Sequence, residues 1–250
     1  TGTLSPEKIV GRIEFNDVHF AYPGTLQPVL NGATFRAESG KIYGLVAPMG
    51  QGKSTILRLL LRFYRPDRGI VSLDGRDIGS FSSKVLRTAT AYLPQSPVFF
   101  HDTVRENLRM ARPLADDHLL SDACRRTGID RILTSRLHGA WGPGQGYLDA
   151  PLDARRLSGG ERKLFALTRT LLKEPRILIL DEPTAGMDGL EKQQALVYLR
   201  QAFSGRTGLV VEHDIRWVSQ LCDEILVLEK GRIVDCGSPA ELAARPGLFV

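Results

Sequence analysis

Alternating and continuous apolar runs along the chain predict strands of two kinds. Residues 12–20 alternate polar and apolar side chains at period two, which predicts a strand with one buried face. Residues 177–180 and 208–211 are instead almost uninterrupted runs of apolar β-formers followed by polar side chains. This pattern predicts strands buried on both faces, as in a parallel sheet. Ligands of open α/β sheets bind at the carboxyl ends of such strands, so the pattern predicts an α/β fold with a ligand site at that edge.

Shorter runs predict the remaining organisation of the chain. Further strands are expected at 28–36, 41–46, 69–75, 89–95, 224–229 and 232–236. Apolar residues recur at helical spacing in 103–111, in 116–127 and again after Ser158, and a segment rich in Gly, Pro and Asp separates the last two patterns. We therefore expect three parts: a linker over 1–11, a core formed by 12–96 and 158–250, and a mostly helical insertion over 97–157.

The glycine-rich stretch 46–55 joins the predicted strand 41–46 to a run of helix formers, 56–63. Strand, glycine-rich turn and helix are the context of a phosphate-binding loop, in which backbone N–H groups surround a triphosphate. Lys53 would place its charge at the β- and γ-phosphates, and the Ser54 hydroxyl would bind Mg²⁺. The residues expected to hold ATP here are Ala47, Pro48, Met49, Gly50, Gln51, Gly52, Lys53, Ser54 and Thr55. The alternative is a glycine-rich turn with an incidental Lys-Ser.

Asp181 and Glu182 directly follow the buried run 177–180. Acidic side chains at the end of such a strand can hold Mg²⁺ and polarise the water that attacks the γ-phosphorus. We therefore expect Asp181 to be a metal ligand and Glu182 to be the catalytic base. The alternative is an acidic turn without a function, which the phosphate-binding loop earlier in the chain argues against.

Composition limits the class of protein. With 42% hydrophobic and 24% charged residues over 250 positions, the chain has the composition of a soluble globular protein. No apolar run approaches the roughly 18 residues of a membrane-spanning helix, and we expect no signal peptide. The net charge of +5 suits a polyanionic ligand without forming a basic arm. Cys124, Cys222 and Cys236 lack metal-site spacing and are expected to be reduced thiols.

The stretch Leu157-Ser158-Gly159-Gly160-Glu161 is similar to the L-S-G-G-Q signature motif of the ATP-binding cassette (ABC) ATPases, and the resemblance extends from Ile13 to about Leu248. It implies a P-loop NTPase fold of the ABC ATPase type, in which a RecA-like core carries an antiparallel β subdomain and an inserted helical subdomain. It also implies ATP and Mg²⁺ as cofactors and ATP hydrolysis as the activity. In this family, signature residues at a helix N-terminus bind the γ-phosphate of an ATP held by a second nucleotide-binding domain, arranged head-to-tail. The residues expected to act in this way are Ser158, Gly159, Gly160 and Glu161.

Further roles follow from the resemblance, residue by residue. Tyr22 matches the aromatic residue that stacks on adenine, the alternative being a turn aromatic that covers a strand end. Gln95 matches the glutamine that contacts Mg²⁺ and the attacking water, and an exposed loop glutamine is the alternative. His213 matches the histidine that contacts the γ-phosphate, and a structural histidine is the alternative. Residues 185–188 occupy the position of the loop that contacts the other subunit. The expected catalytic residues are Lys53, Gln95, Glu182 and His213, and the expected metal ligands are Ser54, Gln95 and Asp181.

Residues 95–107 are similar to the exporter pattern Q-x-P-x-L-F-x-G-T-(I/V)-x-x-N. In exporters the cassette follows a membrane domain in one polypeptide, and a chain that opens with Thr1 agrees with such a fragment. The resemblance therefore implies a motor domain at the cytoplasmic face of a cell membrane, soluble as a fragment, with a transmembrane domain as its partner.

Three departures from the family pattern leave alternatives open. Ala47 stands where the phosphate-binding loop has a glycine, Glu161 replaces glutamine, and 150–154 replaces a V-G-E-x-G-like stretch. These departures allow a heterodimer with unequal sites beside a homodimer, and a separate importer subunit is a further alternative. A third alternative is a degenerate cassette that binds ATP without hydrolysing it. Such a cassette would typically lack Glu182 or His213, and the presence of both argues against it. A cassette acting on nucleic acid would need a coiled-coil insertion, zinc cysteines or a basic arm, so we expect no nucleic-acid partner.

Overall fold

In the computed structural model, which describes residues 8–25, 27–48 and 50–245, the chain divides into two units. The first unit consists of the described parts of Thr1–Ala91, Pro175–Glu182 and Phe203–Val250. The second consists of Tyr92–Glu174 and Pro183–Ala202. The insertion predicted over 97–157 lies within the second unit, and residues 1–7 of the predicted linker lie outside the described residues.

Strands and helices alternate along much of the chain. The strands are β1 Ile13–Phe20, β2 Leu30–Ala37, β3 Ile42–Val46, β4 Arg68–Leu73, β5 Arg76–Asp77, β6 Thr90–Leu93, β7 Ile177–Asp181, β8 Thr207–Val211, β9 Glu224–Glu229 and β10 Arg232–Gly237. The α-helices are α1 Lys53–Leu60, α2 Ser83–Ala89, α3 Val104–Arg109, α4 Asp117–Thr127, α5 Ile129–Arg136, α6 Gly159–Leu171, α7 Gly189–Phe203, α8 Ile215–Leu221 and α9 Pro239–Ala243. Short 3₁₀ turns cover Ile78–Ser80, Tyr147–Asp149 and Ala154–Arg156.

The described strands form one antiparallel and one largely parallel sheet. The antiparallel sheet has the order β2-β1-β4-β5, and the other has the order β10-β9-β3-β8-β7-β6. In the second sheet, β3 pairs in parallel with β8 and β9, and β7 pairs in parallel with β8. The sequence prediction of a parallel sheet is therefore confirmed. Strand β3, which precedes the phosphate-binding loop, pairs with β8, after which His213 lies, and β8 pairs in turn with β7, at whose end Asp181 and Glu182 lie.

Burial explains why these strands could be recognised. Every residue of β7 and of β8 is buried, which matches their continuous apolar sequences. In β1 the alternation is interrupted, because the register with β2 shifts between Phe15 and Val18 and Asp17 adopts a φ of 46°. This bulge turns Val18 inward, so that the buried side chains Phe15 and Val18 are three positions apart instead of two.

One predicted boundary is wrong. The run of helix formers 56–63 suggested a helix through Phe63, but α1 ends at Leu60. Arg62 adopts a φ of 57°, which the helical conformation does not allow, and its Nη2 donates to Ser83 Oγ at 2.9 Å. Phe63 is consequently 64% exposed. The turn after α1 thus depends on a contact with a later segment that the local sequence does not reveal.

The second unit has its own apolar core, built around α6. This helix packs against α3, α4 and α5, and the buried side chains between them include Leu120, Cys124, Leu133 and Phe165. The Oγ1 atoms of Thr127 and Thr168 lie 2.7 Å apart within this core, so the buried hydroxyls satisfy each other. Among residues 8–25, 27–48 and 50–245, no helix combines the length and the apolar character needed to cross a membrane.

Candidate functional site

The glycine-rich loop after β3 has the backbone of an anion-binding turn. Gly50 and Gly52 adopt φ angles of 78° and 100°, in the left-handed region that residues with a Cβ rarely occupy. Gly52 is also the N-cap of α1, and a Cβ added there would lie 3.0 Å from Leu30 Cδ2. Met49 lies outside the described residues. The loop therefore places the first N–H groups of α1 at its mouth, where an anion is stabilised.

Lys53 lies inside this loop. Its Nζ donates to the carbonyl oxygens of Ala47 at 2.7 Å and Pro48 at 3.3 Å, and the residue is only 7% exposed. Burial lowers the pKa of the Lys53 ammonium, and the charges of Glu182 and Asp181 oppose that shift. The acceptors that the described residues offer Lys53 Nζ are neutral carbonyls, so a phosphate entering the loop would be a better acceptor than either carbonyl.

The structure accounts for alanine at position 47. Ala47 does not adopt a positive φ, unlike Gly50 and Gly52, so its Cβ imposes no backbone strain there. Its carbonyl also accepts from Lys53, a contact for which the side chain is irrelevant. The nearby Gln51 directs its Oε1 to the backbone N–H of Lys230 at 2.7 Å, which ties the loop to the turn after β9. The departure at Ala47 therefore leaves the loop geometry intact.

Asp181 and Glu182 lie at the carboxyl end of β7. Asp181 is 5% exposed, and its charge acts on Lys53. Glu182 adopts a φ of 48°, and its N–H donates to Val211 O at 2.8 Å. A left-handed conformation at a residue with a Cβ stores strain, which is characteristic of functional sites. The exposed Ser54, in the first turn of α1, and Asp181 provide one hydroxyl and one carboxylate, hard oxygen donors that fit Mg²⁺.

Glu182 and His213 form a close pair. Parallel register aligns Asp181 with Val211, so the residues after both strands emerge at the same edge of the sheet. Glu182 Oε1 and His213 Nε2 are 2.9 Å apart, with the carboxylate side chain 16% and the imidazole 45% exposed. The buried Glu212 adds a second contact, because its Oε1 accepts from the His213 N–H at 2.9 Å. The edge thus presents a carboxylate already oriented by a histidine.

Tyr22 is held against α1, the helix that starts at the loop. Its Oη lies 3.0 Å from Thr55 Oγ1 and accepts from Arg58 Nη1 at 2.8 Å. The Arg58 guanidinium also lies 5.6 Å from the centre of the Tyr22 ring. The rings of Phe20 and Tyr64 contact Tyr22 edge-on, at 5.0 and 5.3 Å between centroids. These contacts fix an aromatic side chain in the same unit as the phosphate-binding loop.

Gln95 lies in the second unit, exposed, after β6. The backbone on both sides of it is anchored by α6. Lys163 Nζ donates to Pro94 O at 3.2 Å, and Arg169 Nη2 donates to Val98 O at 2.8 Å. The Arg169 guanidinium also lies 5.6 Å from the centre of the Phe99 ring. The position of the Gln95 loop therefore depends on two cationic side chains of one helix.

That same helix begins at the signature residues. Ser158 is the N-cap of α6, and its Oγ accepts from the Glu161 N–H at 3.1 Å while Glu161 Oε2 accepts from the Ser158 N–H at 2.7 Å. This reciprocal capping box leaves Ser158 exposed at the helix end. Gly159 is close to Gly186, because a Cβ added to it would lie 3.6 Å from Gly186 O. The signature residues and the loop 185–188 are therefore neighbours within the second unit.

The predicted site residues thus form two groups. Tyr22, the loop residues, Asp181, Glu182 and His213 belong to the first unit, and Gln95 with Ser158 to Glu161 belongs to the second. Their joint action on nucleotide stays a prediction. Sequence reasoning missed the anchoring roles of Lys163 and Arg169, because the partners of both are backbone carbonyls distant along the chain. The capping box at Ser158, by contrast, was readable as Ser followed three residues later by Glu.

Comparisons with known proteins agree with this geometry. The sequence profile of the family described as ABC transporter matches residues 30–185. ATP-binding cassette sub-family B member 6 from Xenopus tropicalis is 38% identical over 242 residues, which are 96% of this chain and 27% of that protein. The ATP-dependent lipid A-core flippase from Saccharophagus degradans is 36% identical over 239 residues, 96% of this chain and 39% of the flippase.

A solved structure extends the agreement to three dimensions. A bacterial Atm1-family ABC exporter with ATP bound matches with a TM-score of 0.86 and 35% identity, over 96% of this chain and 40% of that one. This chain therefore spans at most two fifths of the lengths of these three proteins. The predicted fold of a P-loop NTPase of the ABC type is confirmed, and these matches favour the exporter interpretation over the separate importer subunit. The chain belongs to the ABC transporter family, and it corresponds to the nucleotide-binding ATPase domain of the exporters in that family.

Proposed function

We propose that this chain binds Mg-ATP, pairs head-to-tail with a second nucleotide-binding domain around two ATP molecules, and hydrolyses them to drive an exporter-type transporter. ABC ATPase domains bind ATP, generally together with Mg²⁺. The single observation that carries the proposal is the 2.9 Å contact between Glu182 and His213 at the edge of the sheet that also holds the phosphate-binding loop. That contact joins a general base to the group that would orient it.

Each side chain of the first unit has a distinct task in this proposal. The Lys53 ammonium binds the β- and γ-phosphates in exchange for the loop carbonyls that it contacts. Glu182 accepts a hydrogen bond from the attacking water and takes its proton, while His213 holds the carboxylate and faces the γ-phosphate. Tyr22 stacks on the adenine.

Magnesium would be held by Ser54 and Asp181, with Gln95 as a further ligand. When bound, the ion neutralises charge on the phosphate oxygens during transfer. Asp181 is suited to this because it is buried and is the last residue of β7, where pairing with β8 fixes its backbone. Ser54 is suited to it because it lies in the first exposed turn after the loop.

The exposed signature residues support a composite site. Ser158 Oγ accepts a hydrogen bond from the Glu161 N–H, so its own proton can be donated to an oxygen of another molecule. Together with the N-terminus of α6, this proton provides a site for the γ-phosphate of an ATP held by a second copy or a homologous chain. Each ATP site of the dimer therefore combines the first unit of one chain with Ser158 to Gly160 of the other. Homodimers and heterodimers both meet this requirement.

The remaining length of the matched proteins suggests the second partner. The chain spans 27% and 39% of two of these relatives, one of which is named a flippase. We infer that a transmembrane domain is joined to this chain in the full-length polypeptide, and that the chain works at the cytoplasmic face of a cell membrane.

Nucleotide affinity tests the proposal. We expect Lys53→Ala to abolish binding of ATP, measured by titration with a fluorescent analogue, because the loop loses its fixed cation. Lys84→Ala, which removes an exposed lysine from α2, is the matched control and should bind normally. Parental affinity in Lys53→Ala would contradict the assignment of the loop.

A further inference from the structure

Arg136 is the last residue of α5 and contacts the signature helix. Its Nε and Nη2 donate to Glu161 Oε1 at 3.0 and 2.9 Å, while Glu161 Oε2 accepts from the Ser158 N–H at 2.7 Å. The Glu161 side chain is 10% exposed and that of Arg136 is 53% exposed. A single carboxylate is therefore held between the N-cap of α6 and a cation from a neighbouring helix.

The charge of Glu161 is a problem for an anion site. A carboxylate in the first turn of a helix interacts favourably with the helix dipole, so it competes there with any other anion. The family motif has a neutral glutamine at this position, whereas this chain places a full negative charge three residues from Ser158. A second carboxylate, that of Glu191, lies close to the first turn of α6: a Cβ built on Gly160 would be 2.7 Å from Glu191 Oε2. A triphosphate approaching Ser158 would meet both charges.

Arg136 offsets the negative charge of Glu161 and also fixes the orientation of its carboxylate. Its guanidinium donates twice to Oε1 and so cancels the charge of the nearly buried Glu161 carboxylate at short range. It also engages Oε1 and thereby keeps Oε2 on the Ser158 N–H, which maintains the capping box that exposes the serine. Truncation of Arg136 alone would leave an almost buried carboxylate without its cation, which is unfavourable in itself.

We infer that Arg136 is a positioning residue for the composite ATP site: it neutralises Glu161 so that the N-terminus of α6 accepts the triphosphate of a second chain. The inference rests on the proposed function, since it requires that Ser158 faces such a triphosphate. This chain has an ion pair where the family motif has a neutral glutamine, and Glu161 needs Arg136 if an anion is to bind at Ser158.

A double-mutant cycle on the 250-residue chain tests this inference. The measured quantity is the protein concentration that gives half-maximal specific ATPase activity, with ATP affinity of the single chain measured in parallel. We expect Arg136→Gln to raise that concentration about tenfold, the scale of one fixed charge at a helix end. In the Glu161→Gln background, the same Arg136→Gln change should alter that concentration by no more than about twofold, because the uncompensated charge is gone.

The controls separate this role from a structural one. Arg131→Gln removes an exposed cation from the same helix and should change nothing. ATP affinity of the single chain should be unchanged in every variant, and the loss in Arg136→Gln should shrink at high salt. If Arg136 only joins α5 to α6, the double variant will be as impaired as Arg136→Gln, which overturns the inference while the proposed function stands. If the parent itself shows no dependence of specific activity on protein concentration, the proposed function fails and the inference falls with it.

Discussion

Glu182 Oε1 and His213 Nε2 lie 2.9 Å apart at the carboxyl ends of two neighbouring parallel strands. The backbone of Glu182 is left-handed there, and its N–H is held by Val211 O at 2.8 Å. The sheet therefore fixes both the strained backbone and the partner of the carboxylate before any ligand arrives. Such preorganisation is what a general base needs in order to direct a single water molecule.

Replacement of Glu182 by Gln should separate binding from turnover. The amide keeps the size of the side chain and a contact to His213, but it cannot take a proton from water. We expect the rate of phosphate release to fall by about 10²–10⁴-fold, the usual contribution of a general base, while ATP affinity stays near the parental value. Glu229→Gln, at a half-exposed position at the end of β9, is the control for loss of one negative charge. Parental turnover in Glu182→Gln would remove this residue from the mechanism.

Tyr22 provides a test of base recognition. Tyr22→Ala should weaken ATP binding by about 1–3 kcal/mol, the scale of one base–aromatic stack, and should leave binding of inorganic triphosphate unchanged. Tyr22→Phe removes only the hydroxyl that contacts Thr55 and Arg58 and should keep most of the affinity. The measurement is a pair of competition titrations with ATP and triphosphate. An equal loss for both ligands would mean that Tyr22 does not touch adenine.

The two anchors of the Gln95 loop should matter for hydrolysis more than for binding. Lys163→Met and Arg169→Gln each release one backbone carbonyl beside Gln95, so the loop loses its fixed position. We expect a lower kcat, by roughly 10-fold for misplacement of a catalytic group, at nearly constant ATP affinity. Arg126→Gln, on the exposed side of α4, is the control. A loss of affinity with normal kcat in the anchor variants would contradict this assignment, provided that their thermal unfolding matches that of the parent.

The sequence predicted some parts of this structure well for physical reasons. β7 and β8 are buried on both faces, so their composition alone identified them as parallel strands, and the residues after them as a ligand edge. The start of α1 was equally clear, because the glycines of the loop precede an unbroken helical run. In each of these elements, neighbouring residues along the chain have the same kind of surroundings, so the local sequence is enough to identify the element.

Other parts could not be predicted because they depend on distant contacts. The buried residues of α7 lie on one face, at Ala195, Leu196, Leu199, Ala202 and Phe203. The exposed apolar residues Leu190 and Val197 lie on the opposite face and obscure this pattern in the sequence. The Arg136–Glu161 pair joins residues 25 positions apart on different helices, and neither residue is unusual in its local sequence. The bulge at Asp17 and the early end of α1 at Leu60 are set by neighbouring segments in the same way.

The central claim is that one chain supplies the catalytic carboxylate and another supplies the signature serine. Mixing two inactive variants tests it most directly. Ser158→Arg should bind ATP but leave its partner's site blocked, and Glu182→Gln should bind ATP without turnover. In a mixed dimer, the first unit of Ser158→Arg faces the intact signature of Glu182→Gln, so one complete site forms. We expect an equal mixture to recover up to about a quarter of parental specific activity, because half of randomly formed dimers are mixed and each has one intact site of two.

The control mixture is Glu182→Gln with Lys53→Ala, two changes on the same side of the site, which should stay inactive. The decisive measurement is therefore ATPase activity of the Ser158→Arg and Glu182→Gln mixture at high protein concentration, compared with each variant alone. Recovery in this mixture and in no other is the predicted result. Absence of recovery, or full activity of Ser158→Arg alone, would contradict the composite site.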